Sequence, residues 1–168
     1  MDAKARAETI CEVVSDPLAD AGVVVDDVTV QQAGRRRLVR VLVARDLSSL
    51  DQDDETSQVQ PLSLDEVAVA TRVVSGVLDE SDVMGEAPYT LEVSSTGLDR
   101  PLTSRDHFRR NVGRLLTVST TDDRTTTGRL LAAGPTGITL HTPAEERLDW
   151  QDVVDARVQV EFSRRQEG

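Results

Sequence analysis

Just beyond Arg110 the spacing of apolar residues changes from three-to-four to two, and this change restricts what the chain can fold into. The helical spacings lie ahead of it. Behind it lie five short alternating runs, at 114–120, 126–133, 137–142, 146–150 and 153–162. Turn residues separate them: Asp122-Asp123, Gly134-Pro135-Thr136-Gly137 and Thr142-Pro143. Five strands in so short a stretch predict a small C-terminal β-barrel of the SH3 or Sm type.

The front half reads α-β-β-α-β. Ala7, Ile10, Val14 and Leu18 share one side of a helix over 4–19, with Pro17 near its end and Gly22 suited to the stop. Strands are predicted over Val23–Gln31 and Leu38–Arg45, joined as a hairpin through Gly34 and the arginines after it. Ser63 and Glu66 form a capping box, and Leu64, Val67, Ala68, Thr71, Val74 and Leu78 follow as a helical stripe. Tyr89, Leu91 and Val93 then alternate with polar residues as a strand. The helix before it can serve as a crossover that makes this strand parallel to a neighbour. Asp46 to Pro61 is polar, acidic and aperiodic, and is expected to be a mobile loop. Thr103 and Asp106 suggest a second capping box for a short helix ending near Arg110. Two domains are expected, 1–96 and 103–168, linked by 97–102.

Aromatic side chains are limited to Tyr89, Phe108, Trp150 and Phe162, so both cores must be built from Val, Leu and Ala. A base-stacking platform for nucleic acid is hard to assemble from so few rings. Cys11 is the sole cysteine, which excludes an internal disulfide and a cysteine-rich zinc site. The N-terminus carries acids and no long apolar run, so neither a secretory signal nor a membrane span is expected, and the cytoplasm is the expected compartment. The net charge of −11 lies entirely in residues 1–96, with 8 basic and 19 acidic side chains, against 11 of each in 97–168. A front half of that sign is repelled by phosphate and attracted by a basic protein.

No catalytic constellation emerges. His107 and His141 are scattered, Ser94 and Ser95 lie on no nucleophile elbow, and the carboxylates in 51–55 lack the spacing of a calcium loop. No cofactor or metal is expected, and the protein is read as a non-enzyme. Gly134 to Gly137 has the GxxG pattern of an RNA-clamping KH loop but falls between two strands, where it reads as a hairpin turn. Two basic clusters are candidate RNA or subunit contacts. One is Arg35, Arg36 and Arg37 with Arg40 at the hairpin. The other is Arg105, Arg109 and Arg110 near Arg100, with Arg105 and Arg109 four apart and expected on one face.

Tyr89-Thr-Leu-Glu-Val-Ser-Ser-Thr-Gly-Leu-Asp-Arg-Pro-Leu102 resembles the signature of the RimP ribosome maturation factors, and the likeness covers nearly the whole chain. Thr96 stands where that family usually has proline. Within this segment Glu92, Ser94, Ser95, Gly97, Asp99, Arg100 and Pro101 are the candidate interdomain residues, expected to set the angle between domains. The resemblance implies a KH-like N-terminal layout, here without a GxxG clamp, ahead of an Sm-like barrel. It also implies a monomeric cytoplasmic factor that binds free small (30S) ribosomal subunits and promotes their assembly. The implied contacts are rRNA and a basic ribosomal protein, the decoding-centre protein S-twelve. The competing reading is a stand-alone Sm-like RNA-binding regulator.

Overall fold

The computed structural model describes residues 2–96 and 100–161. It is a mixed α+β protein whose strands form two sheets. The chain divides into two compact units. The first comprises Met1–Asp46 and Pro61–Thr96, the second Leu47–Gln60 and Gly97–Gly168.

In the first unit, α1 (Ala3–Asp20) starts at Asp2, whose carboxylate accepts the Ala5 amide at 2.7 Å. Pro17 is accommodated inside the last turn. β1 (Val23–Ala33) and β2 (Arg36–Arg45) pair antiparallel, and Gly34 turns the chain between them with φ +64°. α2 (Leu64–Glu80) carries the expected capping box, and it crosses over to place β3 (Tyr89–Ser95) parallel to β2. The sheet order is β1-β2-β3. Ile10, Val14 and Leu18 of α1 meet Val39, Val41 and Val43 of β2 and Ala70, Val74 and Leu78 of α2 in one core. Both helices use every fourth residue for this, the spacing that keeps side chains on one face. The buried stripe of α2 departs from the expected one at its start. Leu64 is 89% exposed and Ala68 is exposed, because the core face is phased on Ala70 instead.

In the second unit, α3 (Arg105–Arg110) leads into β4 (Leu115–Thr120), β5 (Thr125–Ala133), β6 (Gly137–His141), β7 (Glu145–Asp149) and β8 (Val153–Val158). All neighbours are antiparallel, in the order β7-β6-β5-β4-β8. No ladder joins β7 to β8 among the described residues, so the hydrogen-bonded sheet is open where a closed barrel was expected. Leu116, Val118, Leu130, Ile138, Leu140 and Ala156 point to one side and build the core with Phe108. Phe108 and Trp150 meet edge to face, with ring centroids 5.1 Å apart. Gly134 and Gly137 close the β5–β6 turn, as the strand reading requires. A Cβ on Gly137 would lie 2.0 Å from the Leu148 carbonyl oxygen, so only glycine permits that backbone approach. The cap of α3 is Ser104 rather than Thr103: its hydroxyl accepts the His107 amide at 3.2 Å, and Thr103 instead donates its amide to His107 Nδ1 at 3.0 Å.

The acidic segment is not a free loop of the first unit. Residues 47–60 are grouped with the second, where Asp54, Glu55, Ser57 and Gln58 lie against Arg109, Gly113, Ala133 and Gly134. The expected uninterrupted domain over 1–96 is thus divided by an excursion of 14 residues. The physical cause is Arg109, a buried cation whose bonds reach this segment.

Candidate functional site

Arg36 and Arg40 extend from the face of β2 opposite the helices, alternating with the core residues Val39 and Val41. Arg36 donates from Nη2 to the Tyr89 carbonyl at 3.0 Å and from Nε to the Thr90 hydroxyl at 3.3 Å. Arg37 donates to the Met84 carbonyl at 3.4 Å. Arg40 pairs with Glu92 at 2.9 Å, directly across the parallel ladder, with both side chains about half exposed. Arg36 and Arg40 therefore brace β3 against β2, while Arg37 ties β2 to the turn ahead of β3. Arg35 stands exposed at the turn itself.

Around α3 the expected common face does not form. Arg105 is exposed, whereas Arg109 is 4% exposed and points inward beside Phe108. Its Nε donates to the Asp54 carbonyl at 2.8 Å and its Nη2 to the Asp54 carboxylate at 2.9 Å, while Nη1 donates to the Ser57 carbonyl. A cation so enclosed is satisfied within the protein and is withdrawn from phosphate. Asp54 lies at the head of a tight turn. Its carboxyl is held at about 2 by the Ser57 hydroxyl and amide; burial opposes them, and the Thr56 amide and the Arg109 charge add the smallest contributions. Arg100 and Arg110 are half-buried.

In the signature segment, Glu92, Ser94 and Ser95 are exposed along β3, and the Thr96 hydroxyl donates to Asp26 at 3.1 Å. Gly97 and Asp99 lie outside the described residues. Pro101 is exposed, and Leu102 donates its amide to the Ala156 carbonyl on β8 at 2.8 Å.

One grouping was missed in the sequence. Glu8, Glu12, Asp16 and Asp20 are all exposed on α1, at intervals of four that place them in one row. Like charges at that spacing cost a helix about 0.2–0.5 kcal/mol per pair. The signal was the same fourfold interval as the buried stripe, offset by two residues. With residues 47–60 assigned to the second unit, the first keeps 15 acids and 8 basic residues, a net of −7, and the second carries 15 and 11, a net of −4. The excess charge is therefore spread over both units rather than confined to the first.

Among the described residues no group of three or more His, Cys, Asp or Glu side chains is placed to hold a metal. No helix among them is long and apolar enough to cross a membrane. His107 accepts the Thr103 amide at the start of α3, and His141 stands exposed at the end of β6.

Comparison with known proteins matches residues 13–99 to the model of the RimP N-terminal domain. The ribosome maturation factor RimP of Kineococcus radiotolerans is 42% identical over 159 residues, covering 86% of this chain and 72% of the relative. That of Frankia casuarinae is 38% identical over 162 residues, covering 87% of this chain; the chain spans only 56% of that longer relative. A domain model spanning more than half the chain, together with relatives of this identity, shows that the chain belongs to the RimP family of ribosome maturation factors.

Proposed function

We propose that this chain is a non-catalytic ribosome maturation factor that binds free small subunits in the cytoplasm, as a monomer. It contacts a basic ribosomal protein with one surface and rRNA with others. Family membership supports the ribosomal role. The observation that carries the choice of partner is the exposed row Glu8, Glu12, Asp16 and Asp20 in a unit of net charge −7. Such a row weakens its own helix and repels phosphate, yet it complements a lysine- and arginine-rich protein. Decoding-centre protein S-twelve is the partner assigned to it. Contacts with rRNA fall to Arg35 at the hairpin tip and to Arg105 on α3, both exposed. Contacts of that kind bind phosphate and set position without reading sequence.

The second unit is read as an Sm- or SH3-type module on its strand order, a four-strand meander with the last strand returned beside the first. An Sm-like regulator that assembles rings through strand edges fits less well. Leu102 already takes the Ala156 carbonyl on the outer side of β8, and the other edge, β7, carries Glu145, Glu146, Arg147 and Asp149.

Changing Glu8 and Glu12 to Gln and Asp16 and Asp20 to Asn tests the reading by sign. If the row meets a basic protein, binding to free small subunits weakens. If it faces rRNA, the loss of repulsion strengthens binding, and the assignment fails.

A further inference from the structure

We infer that residues 47–60 are a strap through which the folding of the first unit stabilises the second. The strap is bound where it lands. Arg109 holds Asp54 and Ser57 as described, the Ala133 amide at the end of β5 donates to the Glu55 carbonyl at 3.0 Å, and Gln58 packs over Gly113. Glu55 lies over Gly134 so closely that a Cβ there would meet its carboxylate at 1.6 Å. Arg109 is buried, so its charge is compensated only while the strap is in place.

The two ends of the strap are fixed in the first unit. Before it, the Asp46 amide donates to the Gly22 carbonyl at 3.2 Å. After it, Arg45 reaches across to the Pro61 carbonyl at 3.3 Å and to Glu66 at 2.7 Å, and Glu66 closes the capping box of α2. While β2 and α2 are folded, the ends of the excursion are therefore held together. The loop is closed before it docks, and the entropy of closing it does not oppose docking. When the first unit unfolds, Asp46 and Pro61 separate and the same contacts must be made by an open chain. Arg109 then loses its partners more often, and the core around Phe108 and Trp150 loses support.

The protein carries reporters for both ends of this coupling. Trp150 packs on Phe108 in the second unit, and Val74 is fully buried in the first. In the full chain, Val74→Ala is compared with wild type while denaturation is followed by Trp150 fluorescence, and the pair is repeated in an Asp54→Ala background. The inference requires that Val74→Ala lower the Trp150 midpoint when Asp54 is present and have a clearly smaller effect when it is absent. An unchanged midpoint in the wild-type background, or equal shifts in both, overturns it. Hydrogen exchange supplies a second reading that needs only Asp54→Asn. Protection of the Ala133 amide should fall by roughly tenfold, the equivalent of one charge-assisted bond. A freely exchanging Ala133 amide in the wild-type protein would also overturn the strap.

Discussion

Removing the Arg109 guanidinium leaves the carbonyls of Asp54 and Ser57 and the Asp54 carboxylate without their donor, and empties a buried position beside Phe108. Arg109→Ala should therefore cost about 1–3 kcal/mol, read as a shift in Trp150-monitored denaturation. Arg105→Ala, one turn away and exposed, should leave stability within about 0.5 kcal/mol of wild type. Two carboxylates set a pH dependence. Glu66 is held at about 2, first by Arg45 and then by the Ser63 amide, and Asp54 is held at about 2 by the Ser57 hydroxyl and its neighbours. Both lie below their ordinary values of 4.5 and 3.8, so the unfolded chain takes up protons first as pH falls. Their stabilisation is complete above about pH 5 and is lost between there and pH 2. An Asp54→Asn, Glu66→Gln double variant should show a flatter stability profile across that window in urea titrations. An unaltered profile would remove these two groups from the account. The contrast between Arg105 and Arg109 was hidden in the sequence for a physical reason. Spacing assigns two arginines to one helix face, but the partner that draws Arg109 inward lies 55 residues earlier in the chain.

At the level of elements, the terminal chemistry of α2 was legible because it is local. Ser63 and Glu66 are three residues apart, and each satisfies the other's backbone amide whatever the rest of the fold does. Ser63→Ala should cost about 1 kcal/mol, measurable as a lower denaturation midpoint. The crossover and the parallel placement of β3 were also readable, since a helix between two strands leaves few alternatives. The phase of α2 at its start was not readable. Leu64 and Ala68 fit a helical stripe as well as Ala70 does, and only packing on β2 and β3 decides between them. Leu64→Ala should thus change stability by no more than about 0.5 kcal/mol, whereas Leu130→Ala, fully buried in the second core, should cost about 2–5 kcal/mol. Comparable losses in both would contradict the assigned cores. Ser104 replaced Thr103 as the cap of α3 because the two hydroxyl residues are adjacent and either can begin the turn; the one that aligns with the His107 amide wins.

Across the whole molecule, sequence order proved a poor guide to which residues fold together. A polar run without periodicity resembles a solvated loop, and nothing within 47–60 announces that its carboxylate and carbonyls are matched to a distant arginine. Counting charge by halves of the chain therefore exaggerated the difference between the units, which carry −7 and −4 once the strap is assigned where it packs. The acidic row on α1 stays in the first unit after that reassignment, and it remains the basis of the proposed protein partner. Of the seven candidate contacts, Arg35 and Arg105 are exposed with no partner among the described residues, whereas Arg36, Arg37, Arg40 and Arg109 have partners inside their own units and Arg110 is half-buried. The most direct test of this account is binding of the purified protein to free small subunits, mature ribosomes and naked small-subunit RNA over a range of salt. A factor of the proposed kind prefers free subunits and binds naked RNA weakly at every salt concentration. Tight binding to naked RNA that falls steeply with salt, with no preference for the subunit, would contradict the proposal.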